Sequence, residues 1–193
     1  NTLQAAPDPT LGKRGRLITP SERIVDYLKG YDNVDPELAD EITAHSDHGD
    51  AVVDRGATTP VDDLAVSDEV RHRVSTLVTR GDHTRCYWHG PASEKQRAVE
   101  AVVDGQHLSA DLRAVLRADA LAWLVREAAL LGRPLHLHNA TAAVDDPETN
   151  SSLAAVFDTC EELSTDLIIT GRESWMPTER LSTELDAVIE FPY

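Results

Sequence analysis

The sequence predicts an α/β fold in which helices flank a mostly parallel β-sheet. One pattern in the sequence leads to this prediction. From about residue 61 onwards, short apolar runs that suit buried strands alternate with longer segments whose apolar residues recur at helical spacing. Alternation of this kind implies right-handed crossovers, which bring parallel strands together and leave helices on the faces of the sheet. A short helical segment is expected to precede this region.

Residues 1–60 form the N-terminal part of the predicted architecture. Residues 1–18 contain prolines and glycines with little periodicity, which indicates an extended lead-in. Thr19–Glu22 forms a capping box with proline at the first helical position, so a helix is expected from there to Gly30. Asp35-Pro36 is expected to begin a second short helix.

Residues 61–193 form the predicted α/β domain, and 44–60, rich in Asp, His, Gly and Pro, indicate an acidic linker ahead of it. Ser67 is placed to cap the first helix of the domain, whose apolar residues fall on one face. The later predicted elements are the strand Thr84–His89, the helix Lys95–Val103, the strand His107–Leu112, the helix Ala118–Leu131, the strand Leu135–His138, the helix Ser152–Leu163, and the strands Leu167–Thr170 and Ala187–Phe191.

The charge composition predicts an acidic, halophilic protein. Asp and Glu number 34 against 18 Lys and Arg, of which only three are lysines, and the formal net charge is -16. In molar salt the Debye length falls to about 3 Å, so the self-repulsion of such a surface is screened. An acidic protein adapted to ordinary salt is the alternative.

Composition also narrows the classes of partner and the compartment. Binding to nucleic acid depends on clustered Lys and Arg, and the one basic run, Lys13–Arg16, is short, so nucleic acid is not expected as a partner. No window approaches eighteen apolar residues, and the N-terminus lacks a signal pattern. The prediction is therefore a cytoplasmic protein that does not contact membranes.

No metal site or disulfide is predicted. Cys86 and Cys160 lie in apolar stretches and indicate buried free thiols. The cluster His45, Asp47, His48 and Asp50 could gather on a metal, but its setting favours a solvated acidic loop. His136 and His138 share one face of a predicted central strand, which favours core histidines with satisfied nitrogen atoms.

The turn after Thr84–His89 is where a ligand is expected, because such folds bind ligands beyond the carboxyl ends of their strands. In Tyr87–Ala101, Gly90-Pro91 follows the strand and Lys95 begins the next helix. This segment resembles the strand, phosphate loop and helix of AAA+ ATPases. Three later segments resemble, in order, the strand that ends in Asp-Glu, the sensor strand and the last strand of that family: Leu135–Ala140, Leu167–Arg172 and Glu179–Tyr193. The resemblance covers about residues 61–193.

Departures from the family pattern decide what this resemblance implies. A phosphate loop has glycines one and six residues before its lysine, where this chain has Glu94 and His89. Glu94 is expected to point a carboxylate at the phosphate space, and Gln96 offers no hydroxyl to Mg²⁺. Asn139 and Ala140 replace the acidic pair. No catalytic residue is assigned, and the vestigial nucleotide-binding residues are Gly90, Ser93, Lys95, Gln96, Asn139, Thr170 and Arg172.

Within the family, Arg126–Gly132 and the helix bounded by Gly30 resemble the first, degenerate module of haloarchaeal-type proteins with tandem AAA+ domains. The resemblance implies a scaffold or regulatory module of a larger ATPase with little or no ATP hydrolysis and no cofactor. Two alternatives are a module that binds or hydrolyses ATP with Mg²⁺ through an unusual loop, and an adaptor for a protein client.

The expected partners are a downstream AAA+ module or other protein subunits. An oligomer is consistent with this interpretation. Because the helical lid typical of the family does not follow the last strand, the chain is expected to be a fragment. An apolar group in a loop, Trp175, Met176 and Pro177, is expected to form an exposed protein interface.

The charge composition yields a prediction about salt. Raising KCl from about 0.1 M to about 2 M is expected to raise the melting temperature by many degrees, because screening of surface carboxylates is nearly complete at the higher concentration. Thermal melts followed by circular dichroism across this range measure the effect. A melting temperature that does not change would contradict the halophilic interpretation.

Overall fold

The computed structural model divides the chain into two units, Asn1–Asp35 and Pro36–Tyr193. The residues that the structure describes are 3–7, 16–46, 52–56, 59–80, 84–103, 105–140, 147–175 and 184–192. Each unit is described by itself below.

The first unit contains a β-hairpin followed by a helix. Strand β1, Leu3–Pro7, pairs antiparallel with β2, Arg16–Pro20, and α1 covers Glu22–Leu28. The helix ends in a Schellman motif, since the N–H of Gly30 donates to the Tyr27 carbonyl and the N–H of Tyr31 donates to the Asp26 carbonyl. The expected extended lead-in is therefore wrong, and α1 begins later than predicted because Pro20 is paired within β2.

The second unit is built on a six-stranded sheet with the order β3-β5-β6-β7-β4-β8. Only the edge strand β3 runs antiparallel, against β5, and the other five strands are parallel to one another. The predicted mostly parallel sheet is thus confirmed. The strands are β3, Val52–Arg55; β4, Arg85–His89; β5, His107–Asp111; β6, Leu135–His138; β7, Leu167–Gly171; and β8, Ala187–Glu190.

Six described helices accompany the sheet, with a 3-10 turn at Val61–Asp63. Ser67 accepts the Val70 N–H at 3.3 Å, as predicted for a capping residue. The helices are α2, Pro36–Ala44; α3, Asp68–Arg80; α4, Ala92–Val103; α5, Leu112–Arg117; α6, Leu121–Leu131; and α7, Pro147–Leu163. Helix α5 was not predicted, and α4 and α7 begin earlier than expected.

The boundary predicted between residues 60 and 61 does not match the division of the structure. Strand β3 lies inside the stretch predicted to be a linker, and α2 belongs to the same unit as the sheet. The reason is physical, because β3 is held by backbone pairing to β5, more than fifty residues further along the chain. Such non-local pairing leaves little trace in local composition.

Helices α3 and α4 pack on one face of the sheet. Cys86 and Trp88 of β4, Ile168 of β7 and Ile189 of β8 form a buried cluster with apolar residues of both helices. Tyr87 and Ile169 alternate with these residues and so project from the opposite face. Among the described helices, none combines the length and apolar character needed to cross a membrane.

The ends of β4 and β8 approach each other closely at Gly90. Its φ is +118°, in the region that favours glycine, and a Cβ built there would overlap the carbonyl oxygen of Phe191. The Phe191 N–H donates to the His89 carbonyl at 2.7 Å, which fixes this approach. Glycine is therefore required at position 90 for both backbone conformation and space.

This close approach predicts a difference between two glycine substitutions. Gly90→Ala is expected to lower the free energy of unfolding by at least about 2 kcal/mol more than Gly105→Ala. Both glycines have positive φ, but a Cβ at Gly105 meets nothing within 4 Å, so Gly105→Ala is the matched control for backbone strain alone. Urea unfolding measures both variants, and equal losses would show that the end of β8 can move aside.

Candidate functional site

The connection between β4 and α4 is the first feature of the expected ligand-binding edge. Strand β4 ends at His89 and α4 begins at Ala92, so only Gly90 and Pro91 link them. A phosphate loop needs a longer run of backbone N–H groups to surround phosphate oxygens. Two residues are too few to form that cradle.

Lys95 is the fourth residue of α4 rather than its first, and its ammonium is turned into the protein. Its Nζ donates to the carbonyl oxygen of Gly90 at 2.5 Å and to that of Gly171 at the end of β7. The residue is 5% exposed. Burial, and after it the nearby Arg172, lower the pKa of Lys95 from 10.5 to about 8. Two of the three ammonium donors are thus engaged within the chain.

Glu94 does not point at the phosphate space, and that expectation is wrong. Its Oε2 accepts the backbone N–H of Ala65 at 3.1 Å and lies 3.4 Å from a guanidinium nitrogen of Arg97. The physical reason is that the Ala65 N–H and the Arg97 side chain offer the carboxylate two hydrogen-bond donors beside Leu64–Val66, the entry segment that precedes α3. Repulsion by Glu94 therefore does not contribute to the argument about nucleotide binding.

The backbone of the entry segment, Leu64–Val66, is held by other side chains of the same helices. Arg71 of α3 donates to the carbonyl oxygens of Leu64 and Val66 at 3.0 and 3.2 Å. Arg97 of α4 also donates to the Asp63 carbonyl at 2.9 Å. The segment that enters the domain is consequently attached to both helices.

Gln96 makes a bond within its own helix, where its Nε2 donates to Glu100 Oε1 at 3.3 Å. Glu100 in turn accepts from the hydroxyl of Thr59 at 3.0 Å. The side chain of Ser93 lies outside the described part of the chain. The position after Lys95, where a metal-binding hydroxyl was sought, is thus occupied by an amide that is bonded to Glu100.

Asn139 follows β6 with a φ of +61° and is exposed. Its Nδ2 donates to Asp111 Oδ2 at 2.7 Å, while Asp111 Oδ1 accepts the N–H groups of Arg113 and Ala114 and so caps α5. The sequence did not point to Asp111. The signal that could have identified it is an acidic residue, of a type that caps helices, near the end of the predicted strand His107–Leu112.

Thr170 belongs to a buried polar chain that crosses three strands. His136 Nδ1 lies 3.1 Å from the Ser109 hydroxyl, and His136 Nε2 lies 2.9 Å from the Thr170 hydroxyl. All three residues are buried, so Thr170 faces the interior rather than an open site. The prediction of a core histidine with satisfied nitrogen atoms is confirmed for His136. The connection to Ser109 and Thr170 depends on strand order and was not predictable.

The segment after β7 is held against Tyr87. A Cβ at Gly171 would overlap the Tyr87 hydroxyl, which donates to the Glu173 carbonyl at 2.6 Å. The ring of Trp175 meets the Tyr87 ring edge-on at 5.3 Å, and Trp175 is 4% exposed. Arg172 is exposed.

The exposure expected for the interface group is therefore not found for Trp175, because its ring packs on Tyr87. Met176 and Pro177 lie outside the described residues. Of the residues weighed as a metal cluster, Asp47, His48 and Asp50 also lie outside them, and His45 Nδ1 is 3.0 Å from the Glu41 carbonyl oxygen.

No family model and no curated protein matches the chain. Among solved structures, the chain is similar to katanin, in a study of katanin self-assembly, with a TM-score of 0.58 and 10% identity over 83% of this chain and 60% of that one. Two others are AMPPCP-bound DnaA from Aquifex aeolicus, at a TM-score of 0.40 and 13% identity, and a DNA replication initiation factor, at 0.39 and 14%. Each of these last two alignments covers 68% of this chain and 49% of the other chain.

Katanin and DnaA are AAA+ proteins, and the likeness to katanin shows that this chain has the α/β fold of AAA+ P-loop proteins. At 10% identity the likeness concerns the fold alone. The chain spans less than two thirds of each of these structures.

The lowered pKa of Lys95 predicts how stability depends on pH. Between about pH 8 and the ordinary value of 10.5, the unfolded chain holds a proton at Lys95 that the folded chain has lost, so the contribution of this group to the free energy of unfolding rises with pH. Wild type is therefore expected to gain stability relative to Lys95→Met as pH rises from about 7.5 to about 9.5.

Urea unfolding of both proteins at the two pH values checks this prediction. Burial raises the pKa of both Tyr87 and Cys160 to about 12, which lowers stability in alkaline solution, but both groups are present in both proteins and cancel in the difference. Parallel pH profiles for wild type and Lys95→Met would contradict the lowered pKa.

Proposed function

We propose that this chain is a degenerate AAA+-type module that does not hydrolyse ATP and serves as a scaffold or regulatory module of a larger ATPase. The observation that carries the proposal is the two-residue connection between β4 and α4, with the Lys95 ammonium bonded to the carbonyl oxygens of Gly90 and Gly171. A lysine that serves as an internal donor is not available to a phosphate group.

Chemistry at the neighbouring strand ends supports the same proposal. Hydrolysis of ATP by P-loop proteins needs a metal-binding acid and a group that positions water. After β6 this chain offers Asn139, a neutral amide bonded to Asp111, and then Ala140, which has no functional group. Gln96 offers an amide, engaged by Glu100, where the metal would need a hydroxyl.

The role in assembly is supported by the fold rather than by a particular surface. Katanin, which shares the fold, is described in terms of its self-assembly. The proposed partners of this chain are a downstream AAA+ module or other protein subunits, as in the tandem arrangement that the sequence resembles. Because Trp175 is buried, the contact surface must include other residues.

Calorimetric titration with Mg-ATP tests the proposed function. The isolated chain in high salt is expected to bind Mg-ATP with a dissociation constant weaker than about 1 mM and to show no turnover, because the connection is too short for a cradle and the lysine is already bonded.

The contrary result is equally well defined. A dissociation constant below about 50 μM would favour the ATP-binding alternative. So would steady phosphate release that is abolished by Lys95→Ala and retained by Lys29→Ala, a control that changes an exposed lysine of the first unit.

A further inference from the structure

Lys95 connects three elements at the carboxyl edge of the sheet. The residue belongs to α4, and the two carbonyl groups that it bonds lie directly after β4, at Gly90, and at the end of β7, at Gly171. In the parallel pairing of these strands, His89 opposite Gly171 is the last pair. The ammonium therefore lies just beyond the last pair of the β4–β7 ladder and bridges the two strand ends.

A backbone hydrogen bond completes this connection. The N–H of Gly90 donates to the Arg172 carbonyl at 3.2 Å, so the residue after β4 is joined to the residue after β7. Beyond this point the next residue, Glu173, is attached through its carbonyl to the Tyr87 hydroxyl. Lys95 is thus the side chain of α4 that holds the strand ends, while Tyr87 holds the segment that follows.

We propose that Lys95 acts as an internal cross-link that fixes the carboxyl ends of β4 and β7 in one arrangement, with or without nucleotide. The proposal rests on the proposed function, since it requires that no phosphate competes for the ammonium. The two carbonyl oxygens leave the buried ammonium one donor, and a connection of two residues offers phosphate no cradle beside it. In an ATP-binding protein the lysine would leave these carbonyl groups, and the bond between Gly90 and Arg172 would respond to nucleotide.

Hydrogen exchange at single amides, followed by NMR, tests the cross-link. Lys95→Met keeps an unbranched apolar side chain and removes the donors. The Gly90 amide is expected to exchange about tenfold faster in this variant than in wild type. The reason is that the ends of β4 and β7 can open locally once the charge-assisted hydrogen bonds of Lys95 are lost.

Two kinds of control make the result specific. The amides of Leu135 and Leu167 donate to the carbonyl groups of Asp166 and Thr84 at the opposite edge of the sheet, both at 2.8 Å, and are expected to keep their exchange rates. Lys29→Met, which changes a lysine of the first unit, is expected to leave the Gly90 amide unchanged. The melting temperature of the whole protein is less informative, because the stability gained when a buried charge is removed can offset the stability lost with its hydrogen bonds.

The outcomes separate the cross-link from the proposed function. Unchanged exchange of Gly90 in folded Lys95→Met would overturn the cross-link and leave the proposed function standing. A change in Gly90 exchange when Mg-ATP is added to wild type would overturn the proposed function. If Lys95→Met does not fold, Lys95→Gln takes its place, since its amide is one bond shorter and cannot hold both carbonyl groups. The same acceleration is expected for it, and its absence counts against the cross-link.

Discussion

The connection between β4 and α4 is the constraint on which the rest of the candidate site depends. Because only two residues separate α4 from the strand, its first turns lie close to the carboxyl edge of the sheet, and the side chain of Lys95 is buried there. A buried ammonium is costly unless hydrogen-bonded, and the last carbonyl groups of parallel strands are acceptors that the ladder leaves available. Gly90 must then be glycine, because the end of β8 occupies the remaining space.

Sequence reasoning predicted the elements whose signals are local. The parallel strands β4 to β8 are short apolar runs between amphipathic helices, and their positions were predicted to within a few residues. The hairpin of β1 and β2 and the edge strand β3 were missed because their pairing partners, not their composition, make them strands. Helix α5 was missed because six residues show less than two turns of periodicity.

For the candidate site, the sequence predicted residue types better than side-chain directions. The motif placed Gly90, Asn139 and Thr170 at strand ends and Lys95 in the helix that follows β4, and the structure has them there. It also placed the start of α4 at Lys95, three residues too late. Since successive helical residues are rotated by about 100°, the helix start decides which way the side chains near Lys95 face. For this reason the Glu94 carboxylate was expected to point at the phosphate space, whereas it accepts the Ala65 N–H.

The buried charge of Lys95 and the exposed carboxylates of the chain differ in how strongly salt screens them. Bulk ions screen exposed charges strongly and buried pairs much less. The repulsion among the many exposed carboxylates is therefore expected to vary with salt, whereas Lys95 is buried and its bonds to the Gly171 and Gly90 carbonyl groups are buried and part-buried, respectively. A chain with three lysines has one of them in the interior, where its positive charge does not neutralise the acidic surface. The bonds of Lys95 are therefore expected to depend less on ionic strength than the interactions of the exposed carboxylates.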